Sequence, residues 1–154
     1  MRSALAAFLV DSNVLIYAHD PRDKTKQEQA LHVLEYLIKR RSATLSVQCL
    51  TEFFNTIRMK LPEPVSQLHA LAQVEYFLLS CRVFSLTPLA VIEACRCSNR
   101  YGISIRDSLI WAVARLNGLS AIISEDTHGD LLEGVRYLNP FHSQFDLAEF
   151  ESVT

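Results

Sequence analysis

Residues Ala6–Ala18 read AAFLVDSNVLIYA, an unbroken apolar run that stops at an acid. Five consecutive apolar residues, Ala6–Val10, are the pattern of a strand covered on both faces, because a half-exposed strand alternates apolar with polar. Arg2 followed by the run Ala4–Val10 also has the outline of a secretory signal. The run is short, however, and ends at Asp11 without a small-residue cleavage site, so a buried strand and a cytoplasmic protein are expected. No apolar run approaches the roughly 20 residues that span a bilayer.

Outward from this strand the chain alternates. Ala30, Val33, Leu34, Leu37 and Ile38 keep the spacing of an amphipathic helix between Lys24 and Arg41. Ala43–Val47 reads as a second strand, followed by a helix from Cys49 to Lys60 that Pro62 and Pro64 stop, and a further helix over Val65–Leu79. Arg82–Leu86 is a third strand, and Pro88 sits where a helix begins. Ser104 to Asn117 gives the clearest helix, with Leu109, Ala112, Val113 and Leu116 as its apolar stripe. Ser104 and Asp107 form its capping signal, and Gly118 its stop. Ala121–Ser124 and Val135–Leu138 complete the strands. Strands alternating with helices predict an α/β fold of three layers, a central mostly parallel sheet flanked by helices. One domain over residues 1–141 is expected, followed by a tail, 142–154, whose Phe145, Leu147 and Phe150 can dock a short helix.

Composition bounds the function. The 154 residues are 49% hydrophobic and 21% charged, as in folded soluble domains. Fifteen basic against 17 acidic residues leave a net charge of −2, which argues against a passive nucleic-acid binder. It suits an enzyme that holds phosphates through metal ions seated on its own carboxylates. Cys49, Cys81, Cys95 and Cys97 contain no CxxC pair, so they read as plain thiols rather than a zinc site or disulfides.

In open parallel sheets, sites lie beyond the carboxyl ends of the strands. Asp11 follows the first strand directly, and Asp126 closely follows the fourth. Glu52 lies in the first turns of the helix after the second strand, and Asp107 near the start of its own helix. Singly, each has a bland role in a turn, a cap or a solvated helix face. Together, four like charges on one edge destabilise the fold unless something positive sits among them. With no His or Cys beside them the donors are all oxygen, which selects Mg2+ or Mn2+. Asn13 and Ser124 are placed to orient the acids. His128 either borders the pocket or lies on the surface, and the surface is the plainer reading.

DSNVLIYA at Asp11–Ala18, TEFFN at Thr51–Asn55, RDSLIWAVARLNG at Arg106–Gly118 and SEDTHGDLLEGVRYLNPF at Ser124–Phe141 together resemble a PIN domain. The last segment is similar to the VapC-type toxins of bacterial toxin–antitoxin pairs. The resemblance spans residues from about 8 to 141 in order, and only the tail departs from it. It implies a metal-dependent endoribonuclease acting on RNA, with Asp11, Glu52, Asp107 and Asp126 as catalytic metal ligands and Asn13 and Ser124 in support. It further implies an antitoxin partner and a homodimer. A non-toxin RNA-processing enzyme or a catalytically silent binding protein of the same fold would read similarly. Other classes fit less well. A haloacid-dehalogenase-type phosphatase needs a second Asp where Asn13 stands. A receiver domain needs an acid after the third strand and a late lysine, whereas no lysine follows Lys60. Four glycines provide no phosphate-binding loop.

Overall fold

A computed structural model describes residues 5–153; Arg2 and Ala4, which head the apolar run, and the last tail residue, Thr154, lie outside the described residues. Strand β1 is Phe8–Val10, shorter than the run that announces it. It is followed by β2 (Ala43–Ser46), β3 (Arg82–Phe84), β4 (Ala121–Ile123), β5 (Leu131–Leu132) and β6 (Val135–Leu138). The helices are α1 (Ser12–Tyr17), α2 (Lys24–Lys39), α3 (Val47–Met59), α4 (Gln67–Ser80), α5 (Pro88–Tyr101) and α6 (Ile105–Leu116). The sheet order is β3-β2-β1-β4-β6-β5, parallel throughout except for the β5–β6 pair.

Alternation along the strands builds two cores. In β1, Phe8 and Val10 enter a cluster with Val14, Leu37, Phe53 and Phe77, contributed by α1 to α4. Leu9, between them, faces the opposite cluster of Ile110, Trp111 and Val113 on α6 and Ala94 on α5. β4 divides in the same way, Ala121 and Ile123 to the first core and Ile122 to the second. Successive strand side chains point to opposite faces, so β1 and β4 must be apolar at every position. The result is the expected three-layer α/β sandwich.

Helix α6 differs from its expected stripe. Leu116 is exposed, whereas Ile110, Trp111 and Ala114 are buried with Ala112 and Val113. The helix packs against α5 on one side and against β4 and β6 on another, so its buried arc is wider than one stripe. Two elements escaped the sequence pattern, the six-residue α1 and the two-residue β5. The β5–β6 turn has both central residues at positive φ, Glu133 at 44° and Gly134 at 85°, a conformation suited to tight hairpins. Arg100 and Arg115 hold the Glu133 carboxylate, at 3.0 and 2.8 Å.

The tail ends in a 3-10 helix, Leu147–Phe150, capped reciprocally by Asp146 and Glu149. Phe150 is buried against Phe8 and Tyr36, with ring centroids 5.1 and 5.6 Å apart.

Sheet order also locates a crevice. From β1 the chain moves outward to β2 and β3, then returns to lay β4 on the other side of β1. In parallel sheets the connections part at such a reversal, so the expected gap lies beyond the carboxyl ends of β1 and β4.

Candidate active site

Asp11 stands at that gap. Its amide donates to the Ile123 carbonyl at 2.9 Å, continuing the β1–β4 ladder one residue past the strand. Its carboxylate is the N-cap of α1 and accepts from the Ser12 amide at 2.6 Å. The other oxygen accepts from the Ser124 hydroxyl at 2.8 Å. Asp11 is only 2% exposed. Burial raises its pKa, against the lowering influence of Arg106 and of the Ser124 and Ser12 hydrogen bonds.

Glu52 reaches the same place from α3, which begins directly after β2 with Ser46 as its cap. The Ser12 hydroxyl donates to Glu52 Oε2 at 2.9 Å, linking α1 to α3. Gln48, one turn earlier, donates to Glu52 Oε1 and to the Arg106 carbonyl, each at 3.2 Å. Asp107 lies in the first turn of α6, its amide donating to Ser104 Oγ at 3.1 Å. Asp126 is exposed on the loop after β4, its amide donating to Ser124 Oγ at 3.0 Å. Asn13 Nδ2 bridges Ser124 Oγ, at 3.0 Å, and Asp126 Oδ2, at 3.5 Å.

The positive charge demanded by these acids is Arg106, which the sequence reading did not single out. Its Nη2 donates to Glu52 Oε2 at 2.7 Å and to Asp11 Oδ1 at 3.2 Å, while Nη1 donates to Asp107 Oδ1 at 2.7 Å. Burial disfavours its charge, but Asp11, Glu52 and Asp107 together push its pKa upward. Three acids therefore converge on one guanidinium, and Asp126 stands apart from it. Only the need for a positive charge among the acids was foreseeable from the sequence.

His128, read as bordering either the pocket or the surface, lies against the acids, with Nε2 3.0 Å from Asp107 Oδ2 and its ring against Tyr137. Glu125, beside Asp126, points elsewhere: Lys26 bonds it, and the Tyr17 hydroxyl donates to it at 2.5 Å.

Among the described residues no group of three His, Cys, Asp or Glu side chains is arranged to hold a metal ion. The four expected acids are not all brought together: Asp11, Glu52 and Asp107 share Arg106, whereas the Asp126 carboxylate accepts from Asn13. The donor chemistry still fits a hard cation: Asp11, Glu52 and Asp107 offer only oxygen, and all three already bind a positive group.

A three-layer sheet with acids at its central carboxyl edge defines a class of α/β sites before any relative is considered. The model of the PIN domain matches residues 8–133, and the chain belongs to that family. Solved structures agree on the fold. A toxin–antitoxin complex from Klebsiella pneumoniae matches with a TM-score of 0.66 at 18% identity, covering 88% of this chain and 98% of that one. DNA-bound VapBC from Salmonella typhimurium gives 0.64 at 20%, with 88% and 98% covered. The sarcin–ricin-loop-cleaving VapC toxin of Mycobacterium tuberculosis gives 0.65 at 17%, with 84% and 99% covered. Comparison with curated proteins gives no match.

Proposed function

We propose that this chain is a Mg2+- or Mn2+-dependent endoribonuclease and the toxin of a toxin–antitoxin pair. Asp11, Glu52, Asp107 and Asp126 are its catalytic acids and metal ligands. The observation that carries this reading is the convergence of Asp11, Glu52 and Asp107, from three distant parts of the chain, on one cationic group in the β1–β4 crevice. These acids would hold a divalent cation, which would supply Lewis acidity toward a phosphate oxygen and an attacking water. The chain's own part is positioning. Ser124 and the Ser12 amide fix both oxygens of Asp11, Ser12 and Gln48 fix those of Glu52, and Asn13 ties Asp126 to Ser124. RNA phosphates, repelled by bare carboxylates, become acceptable to the site once its charge is neutralised.

The partner follows from the structural neighbours, several of which are complexes of toxin with antitoxin. A cognate antitoxin that covers the crevice is therefore proposed. So is a homodimer, supported by Leu68, Leu71, Leu78 and Leu79 lying exposed on α4. Among the described residues no helix is long and apolar enough to cross a membrane, and the cytoplasm, where RNA is met, is the proposed compartment.

The test is cleavage of a panel of structured and single-stranded RNAs by metal-loaded protein freed of any partner. Endonucleolytic products that vanish with a chelator support the enzyme. Identical behaviour with and without chelator favours a silent binding protein. Growth arrest on expression in bacteria, relieved by Asp11→Ala, separates a toxin from an RNA-processing enzyme.

A further inference from the structure

The proposed metal site is already filled by a cation that belongs to the chain. Among the described residues, every side-chain hydrogen bond of Arg106 ends on Asp11, Ser12, Glu52 or Asp107. The residue immediately precedes Asp107 near the start of α6, so its backbone is fixed while its long side chain is free to turn. The side chain is 38% exposed, which leaves a path to solvent by rotation alone. We propose that Arg106 is an internal latch: its guanidinium occupies the divalent-cation position in the metal-free protein, and metal binding requires it to swing out of the crevice.

Charge and hydrogen bonding make the exchange a close contest. The guanidinium is permanently charged and presents its donors in a planar fork matched to carboxylates. That holds Asp11, Glu52 and Asp107 at a shared centre without metal and relieves their mutual repulsion. One positive charge against three negative ones still leaves a formal charge of −2, however, and Asp126 outside the latch adds to it. A divalent ion neutralises such a site more completely. Displacement leaves Arg106 at the mouth of the crevice as a free cation. The latch thus keeps the acids assembled, lowers apparent metal affinity, and makes occupancy depend on the ambient metal concentration.

This inference rests on the metal-dependent reading, and its test separates the two. Mn2+ binding is titrated by the paramagnetic resonance signal of the free ion, for wild type, Arg106→Gln and Arg106→Lys. Apparent affinity is reduced by the fraction of protein in the competent state. A latch closed about nine-tenths of the time predicts about tenfold tighter Mn2+ binding by Arg106→Gln, with Arg106→Lys between the two. The metal-free glutamine variant melts below wild type, and saturating Mn2+ raises its melting temperature by more. Binding by Arg106→Gln that is equal to or weaker than wild type overturns the latch and leaves the metal site standing. No Mn2+ binding by any of the three overturns both. A measurement on wild type alone avoids dependence on variant folding. The Arg106 Nε–H resonance is protected from solvent exchange without metal and loses that protection as Mg2+ saturates; protection retained at saturation overturns the latch.

Discussion

The hydroxyl of Ser124 donates to Oδ2 of Asp11 at 2.8 Å, joining the loop after β4 to the first residue beyond β1. Ser124 Oγ in turn accepts from Asn13 Nδ2 and from the Asp126 amide, both at 3.0 Å. One buried hydroxyl therefore sets the spacing of two acids. Ser124→Ala strands three partners, of which the Asp11 carboxylate is almost wholly buried. Losing a partner to a buried charged group costs about 1–3 kcal/mol. Urea denaturation should show a loss of that size, together with reduced RNA cleavage, whereas Ser124→Thr should retain much of both.

Cys49 lies under the same site, fully buried with Sγ 3.9 Å from Asp11 Oδ1. Burial and the neighbouring Asp11 push its thiol up to about 12, from an ordinary value of 9.0. The unfolded chain therefore releases this proton before the folded one does. Stability from this group is whole below pH 9 and declines as pH rises from there towards the folded value. Cys49→Ala should flatten that alkaline decline in a series of melts. A thiol reagent at neutral pH should label exposed Cys95 at once and Cys49 only after denaturation. Prompt labelling of Cys49 in the native protein would refute this.

The legible parts of the fold and site were those fixed by one residue's immediate neighbours. An apolar run ending in an acid placed β1 and Asp11, and alternation of strands with helices placed the sheet and its carboxyl edge. Arg106 escaped because its role depends on three residues distant in sequence. Beside Asp107 in a first helical turn, it reads as an ordinary solvated charge. The signal that could have found it was the count of acids, which demanded a cation, and Arg106 stands directly within the motif. His128 was left open between pocket and surface for a related reason: it sits in the loop before β5, and β5 is too short to leave a pattern. Leu116 was misassigned because α6 buries an arc set by two neighbours, which helical periodicity alone does not contain.

Phe150 tests whether the tail is structural. Its ring lies 5.4 Å from Phe145 and packs on Phe8, at the start of β1 and so at the end of the strand away from Asp11. Phe150→Ala removes a large buried ring and should cost about 3 kcal/mol. Cleavage per folded molecule should be unchanged, because the crevice lies at the opposite edge of the sheet. Thermal melts and assays at a temperature where the variant remains folded check both halves. A variant of normal stability, or a folded one with impaired cleavage, contradicts the assignment.

Asp107 and Asp126 should respond in opposite directions to the same conservative change. Without Arg106 in the crevice, converting either acid to its uncharged isostere would remove repulsion and raise the metal-free melting temperature. The guanidinium alters the balance for Asp107 alone. Its carboxylate bonds Arg106 at 2.7 Å and His128 at 3.0 Å, in a partly exposed setting where solvent screens the pairs. Asp107→Asn should therefore lower the metal-free melting temperature by about 3 °C, the effect of roughly 1 kcal/mol in a chain of this size. Among the described residues the Asp126 carboxylate has no cation as a partner and accepts only from Asn13, at 3.5 Å. Asp126→Asn keeps that contact and removes a negative charge facing Asp11 and its neighbours, so the melting temperature should hold or rise. Both variants should gain less from Mg2+ than wild type, because each has lost an acidic ligand. Melts of the three proteins with and without Mg2+ resolve these outcomes. Equal shifts for the two variants without metal would show that Arg106 does not distinguish them, and undiminished gains from Mg2+ would remove both acids from the metal site.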